Sequence, residues 1–281
     1  IMIKPMLAVK VDRNKIDFKQ KIYMQPKLDG VRCLFTKDGA YSRTGKEFKN
    51  VKHIANSLKP FFKQKPDVIL DGELYNHELK DDFEKIISLV RKQKPTKEHR
   101  AEAKKLIQYH VYDYTSAKPQ LNKVMYDKRL DNLSCSNIYN DFIKYTLTVK
   151  IKSYAEAKKQ HQVFLSQEYE GSMLRINAFY KQKRSNYLMK FKDFYDTEAT
   201  IIGYEAGKGK RQGTLGKFIM QDDKGIQFGC PPGKGYNFKD LADILENIHD
   251  YIGQRATFTY FERTKANSYR HPLFKTLRNY E

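Results

Sequence analysis

The sequence has no tryptophan, only three cysteines in 281 residues, and no run of about 18 apolar residues. Each shortage excludes something. Without a long apolar run, no bilayer-spanning helix is expected. The basic N-terminal stretch is not followed by the apolar region of a secretion signal, so the expectation is a cytoplasmic protein with no membrane partner. Cys33, Cys135 and Cys230 are odd in number and widely spaced. That argues against a disulfide framework or a zinc site and leaves packing as their expected role. The seven histidines show no His-x-x-x-His pairing. A P-loop sequence is missing, and the nearest approach to Gly-x-Gly-x-x-Gly, from Gly207, has Gln212 in place of the last glycine. A nucleotide handled by this chain is therefore not held by either of those turns.

Positive charge, by contrast, is in excess. The formal net charge is +20 with 53 Lys and Arg, beyond what solubility needs, and it points to a polyanionic partner such as nucleic acid, with a membrane surface as the weaker alternative. A 40% hydrophobic and 13% aromatic content supplies a core, and the length suits one large domain or two.

Along the chain, the first 20 residues read as an irregular lead-in. Residues 22–27 read as a strand that turns at Asp29-Gly30 into a second strand over 31–36 and, through Asp38-Gly39, into a third, an antiparallel meander. Val51, Ile54, Ala55 and Leu58 have helical spacing, with Pro60 as the limit. A short strand over 68–70 leads into Asp71-Gly72-Glu73-Leu74. A helix begins at Asp81-Asp82, residues 91–105 form a solvated basic helix or loop, and a strand ends in Tyr112-Asp113. A helix over 127–145, a strand over 146–151 and a helix over 155–165 precede Glu170-Gly171-Ser172-Met173-Leu174-Arg175. In Leu188-Met189-Lys190-Phe191-Lys192 the period of a strand puts Lys190 and Lys192 on one side and Met189 and Phe191 on the other. Two neighbouring ammonium groups repel each other unless an anion lies near, although lysines also protect solvated edge strands. After residues 193–198, about five short strands and one helix in about 85 residues have the pattern of an OB-type barrel. Lys208, Lys210 and Arg211 lie in a glycine-rich loop between its first strands, suited to tracking phosphates.

Lys27-Leu28-Asp29-Gly30-Val31-Arg32, Asp71-Gly72-Glu73-Leu74, Tyr112-Asp113, Glu170 to Arg175 and Lys190-Phe191-Lys192 together resemble the successive motifs of the covalent nucleotidyltransferases, which comprise DNA ligases, RNA ligases and mRNA capping enzymes. Order and spacing both match, and the Glu170 motif and following barrel favour the ATP-dependent DNA ligases of minimal two-domain type. The resemblance implies an α+β fold: an adenylation domain of antiparallel sheets with flanking helices over residues 1–193, then an OB domain over 194–281.

It further implies that Lys27 attacks the α-phosphate of ATP, that AMP passes to a 5′-phosphate, and that a 3′-hydroxyl then displaces AMP to seal nicked double-stranded DNA. Free lysine, with a pKa near ~10.4, is protonated at neutral pH, so the site must favour the amine, a task assigned to Lys190, Lys192 and a divalent metal. By the same resemblance Glu170 and Glu73 are ligands of Mg²⁺ or Mn²⁺, Tyr112 stacks on adenine, Asp29 organises the lysine and the attacking hydroxyl, and Arg32 contacts the ribose or nick phosphate. Arg43 matches a 5′-phosphate contact, and Arg270 and Arg278 resemble the last ligase motif, which closes over ATP. Gln25 stands where many ligases have Glu near adenine. Only 26 residues precede Lys27, so ATP and not NAD is the expected donor, and DNA is held by the two domains of a monomer, with a hinge near 193–196. An RNA ligase or capping enzyme is the alternative, and a non-catalytic nucleic-acid-binding module is a more distant one.

Overall fold

The computed structural model describes residues 3–281 and divides into two compact units, one running to Lys192 and including Glu281, the other Asp193–Tyr280. In the first unit the elements run β1 (Leu7–Lys10), β2 (Ile22–Lys27), β3 (Val31–Thr36), β4 (Gly39–Tyr41), α1 (Lys52–Gln64), β5 (Val68–Tyr75), α2 (Phe83–Val90) and α3 (Lys97–Leu106). They continue with β6 (Gln108–Ser116), α4 (Tyr126–Ser134), β7 (Ile143–Tyr145), β8 (Val149–Ile151), α5 (Tyr154–Ser166), β9 (Gly171–Ile176) and β10 (Arg184–Phe191).

These strands form two five-stranded sheets, ordered β1-β10-β9-β2-β8 and β4-β3-β5-β6-β7. The expected hairpin at Asp29-Gly30 is therefore corrected. β2 pairs with β9 along its whole length and with β8 over residues 22–24, while β3 pairs with β5 and β4 in the other sheet. The turn instead carries the chain from one sheet to the other. A Cβ on Gly30 would lie 2.3 Å from the Leu74 carbonyl oxygen and 2.9 Å from Glu73 Cγ, so only glycine lets the crossing rest on β5. Lys27 consequently stands where the two sheets meet.

Other departures have local causes. The lead-in contains β1, paired in parallel with β10. Pro60 lies inside α1, where the missing N–H faces solvent while Ile54, Leu58 and Phe62 bury the opposite stripe. The helix expected over 127–145 ends at Ser134, because Asn137 takes φ 57° and Ile143 pairs in parallel with Tyr109. The sheets are thus mixed and not wholly antiparallel. Helix α5 begins at Ser153, whose side chain accepts from Glu156 N, and packs Ala157 and Phe164 against Ile22, Met24, Leu174 and Met189.

The second unit comprises β11 (Tyr195–Ala206), β12 (Leu215–Gln221), β13 (Gln227–Cys230), α6 (Phe238–Glu246), β14 (Arg255–Tyr260), β15 (Glu262–Arg263), β16 (Tyr269–Arg270) and β17 (Leu273–Leu277). Its five-stranded antiparallel sheet has the order β13-β12-β11-β14-β17. The sheet curls on itself, since Phe274 N donates to Pro231 O at 2.7 Å and Gly233 N to Phe274 O at 2.8 Å, joining the end of β13 to β17. Ile201, Phe218, Met220, Phe258 and Phe274 fill the interior, and Ile244 of α6 packs against them.

Candidate active site

Register fixes the centre of the site. Lys27, the last residue of β2, pairs with Gly171, the first of β9, so the residue before that glycine lies beside the lysine. Lys27 Nζ is 3.0 Å from Glu170 Oε2, and Lys192 Nζ is 2.7 Å from Glu170 Oε1. One carboxylate thus bridges two ammonium groups, with Lys192 only 1% exposed and Lys27 and Glu170 about one-fifth exposed, at 19% and 21%. Gly171 is required for this approach: a Cβ there would lie 2.5 Å from Phe191 O and 2.8 Å from Lys192 Cβ. Lys190 and Lys192 are two residues apart, and the intervening Phe191 stacks on His161 with centroids 4.0 Å apart, on the core side. The expected grouping of Lys27, Lys192 and Glu170 is thus present, with the carboxylate as the anion between the two ammonium groups.

Across the crossing, Arg32 pairs with Glu73 in the β3–β5 register. Tyr112 donates its hydroxyl to Glu73 Oε2 at 2.9 Å. Burial pushes the Glu73 carboxyl up to about 7, against the pull of Lys27, Arg32 and that hydroxyl. Tyr112 lies at the β5–β6 register shift, with Arg175 Cζ 4.9 Å and Arg32 Cζ 5.7 Å from its ring centroid. Asp29 belongs to the crossing turn, and its charge, with those of Tyr169 and Glu170, adds to burial in raising the Tyr75 phenol.

Among the described residues no group of three or more His, Cys, Asp or Glu forms a metal cage. Glu170 and Glu73 are carboxylates, the donor class that a hard ion such as Mg²⁺ takes together with waters and substrate phosphate.

Gln25 is 1% exposed, and its amide is engaged throughout: Nε2 donates to Tyr126 Oη and Thr148 Oγ1 at 2.9 Å each, and Oε1 accepts from Arg175 at 2.7 Å. Arg43 donates from Nε to Glu281 at 2.7 Å. The remaining expected residues belong to the second unit. Arg270 pairs with Glu262 at 2.6 Å; Arg278 donates to Tyr280 Oη at 2.6 Å and lies 3.4 Å from Glu198; Lys208, Lys210 and Arg211 are exposed around a 3₁₀ turn.

Several residues in the site's framework carried no expectation. Asp71, wholly buried, takes Arg32 bidentately at 2.9 and 2.6 Å and accepts from Tyr180 Oη at 2.7 Å. Asp113, also buried, is held by Arg129 at 2.7 Å and Arg175 at 2.9 Å. Asp71, Asp113 and Arg175 lay within recognised motifs, where a buried acid or guanidinium demands a partner. Nothing in the sequence signalled Arg129 or Tyr180.

Residues 5–192 match the family described as ATP dependent DNA ligase domain, and residues 206–278 match a DNA ligase OB-like domain. The chain belongs to the ATP-dependent DNA ligases. This ligase is 26% identical over 222 residues to the DNA ligase of Haemophilus influenzae, covering 77% of this chain and 74% of that protein. It is 28% identical over 230 residues to the DNA ligase of African swine fever virus, covering 76% of this chain and 52% of the viral protein. A solved Lig E DNA ligase structure shares the ligase's fold with a TM-score of 0.59 at 23% identity, covering 99% of this chain and all of that one, 100%.

Proposed function

We infer that this ligase seals nicks in duplex DNA through a lysyl-AMP on Lys27, using ATP and Mg²⁺ or Mn²⁺. The observation that carries the assignment is the Lys27–Glu170–Lys192 bridge, with spacings of 3.0 and 2.7 Å at the meeting of two sheets. A protonated lysine has no lone pair with which to attack. The proton must therefore leave Nζ to solvent before attack, while the contact with Glu170 Oε2 at 3.0 Å fixes the direction of Nζ. Nζ then bonds to the α-phosphorus as the bond to pyrophosphate breaks. Lys190 and Lys192 offset negative charge developing on the phosphates. Glu170 and Glu73 would hold the metal, which supplies Lewis-acid charge at the triphosphate when bound.

Tyr112 provides the adenine platform, its hydroxyl fixed on Glu73, and Gln25 forms the wall behind it through Arg175. Arg32, oriented by Asp71, serves the ribose or nick phosphate, and Asp29 orients the attacking 3′-hydroxyl. Arg43, Lys208, Lys210 and Arg211 contact DNA phosphates, and Arg270 and Arg278 serve the ATP step. Residues 1–193 act as the adenylation domain and 194–281 as the OB domain of a monomer. The test compares covalent labelling by ATP and GTP, and sealing of nicked DNA and nicked RNA. Labelling by ATP with preferential DNA sealing is expected; GTP labelling or preferential RNA sealing would favour the capping or RNA ligase alternative.

A further inference from the structure

Glu170 does not belong to a regular element. It follows α5 through a three-residue passage, Gln167-Glu168-Tyr169, and its aim depends on how that passage is fixed. Helix α5 ends in a Schellman turn: Tyr169 N donates to Phe164 O at 3.1 Å, Glu168 N donates to Leu165 O at 2.9 Å, and Glu168 takes φ 67°. The accompanying apolar contact is present, with Phe164 and Tyr169 rings 6.3 Å apart and edge to face.

A second grip comes from the opposite sheet. His77, just beyond β5, has Nε2 2.9 Å from Gln167 O and Nδ1 2.6 Å from Tyr75 Oη. A carbonyl can only accept, so Nε2 donates to Gln167 O, and Nδ1 shares a hydrogen bond with the Tyr75 hydroxyl. The imidazole also stacks on Tyr169, with centroids 4.3 Å apart and planes 28° apart. Lys80 reaches Glu168 at 3.4 Å, a more exposed contact. The strand that carries Glu73 thus continues directly into the group that holds the residues before Glu170.

We propose that His77, oriented by Tyr75, is a positioning residue that sets the approach of Glu170 to Lys27 and Lys192 by clamping Gln167 and Tyr169. The inference rests on the assignment of Glu170 to the adenylylation step. His77 acts through the loop, by way of Gln167 and Tyr169.

The test measures single-turnover formation of lysyl-AMP at saturating ATP and Mg²⁺, together with thermal midpoints, for His77→Phe, Glu170→Gln and their combination. His77→Phe keeps a ring for Tyr169 but loses both hydrogen bonds. The rate should fall about tenfold to a hundredfold, the scale of misplaced catalytic groups, with little change in the ATP concentration for half-maximal rate. Added to Glu170→Gln, it should have no further effect. His77→Gln, which can still present an N–H to Gln167 O, should recover part of the rate, and serves as the test variant if His77→Phe does not fold. A wild-type rate in a folded His77→Phe, or full multiplication of the two effects, would overturn the clamp alone. A wild-type rate for Glu170→Gln would overturn the Glu170 assignment and the clamp with it.

Discussion

At the scale of single residues, the candidate site sets the ammonium groups of Lys27 and Lys192 against Glu170, with Glu73 on the neighbouring sheet. Glu73 provides a pH-dependent test. Its folded-state carboxyl is raised from 4.5 to about 7, chiefly by burial, so the native state holds its proton more tightly than the unfolded chain. The associated stability is fully present below the unfolded value and is lost as pH rises toward about 7. Glu73→Gln removes this titration. Its thermal midpoint relative to wild type should rise between about pH 4.5 and 7 and level off above, a relative gain on the order of 2 kcal/mol after screening. A difference in midpoint independent of pH would contradict the raised carboxyl. At Lys192, replacement by Met leaves Glu170 with one ammonium partner and removes charge from the phosphate site. Lysyl-AMP formation should fall by about 10²–10³-fold, as measured by single-turnover labelling.

At the scale of elements, two backbone positions govern the aim of Glu170. Gly171→Ala places a methyl 2.5 Å from Phe191 O, so β9 and β10 must separate beside Lys192. The expected result is a loss of about 1–3 kcal/mol in denaturant unfolding, with adenylylation of the folded fraction also reduced. Glu168→Gly should act in the other direction on stability. It relieves a left-handed non-glycine residue at the α5 terminus, and a gain of about 0.5–1 kcal/mol should appear in the unfolding midpoint, less the small value of the Lys80 pair.

The same elements show how far local sequence reaches. Strand and helix identity at β2, β3, α1, α2, α5 and β10 followed from period, caps and turn residues. Partner choice did not, because Asp29-Gly30 serves a hairpin and a passage between sheets equally well, and the pairing of β2 with β9 and of β3 with β5 joins segments remote in sequence. The break in the 127–145 segment likewise depends on the distant pairing of Ile143 with Tyr109. The family motifs marked Lys27, Glu73, Glu170 and Lys192 as functional. The bridge among them, the Asp71 and Asp113 partners and the His77 contacts required the packed chain, since each joins residues remote in sequence.

At the scale of the whole molecule, the net charge of +20 gives a measurable expectation. Binding to nicked duplex should weaken by at least about tenfold between roughly 50 and 200 mM salt, because each neutralised phosphate releases condensed counterion. Lys208→Ala with Lys210→Ala should lower both affinity and the steepness of that dependence, as followed by fluorescence anisotropy. No described helix is long and apolar enough to cross a membrane. The most direct test of the account is the intact mass and peptide map of the protein after incubation with ATP and Mg²⁺. One AMP per chain, attached at Lys27 and absent from Lys27→Ala, is the predicted result; AMP on another residue, or sealing of nicked DNA by Lys27→Ala, would contradict it.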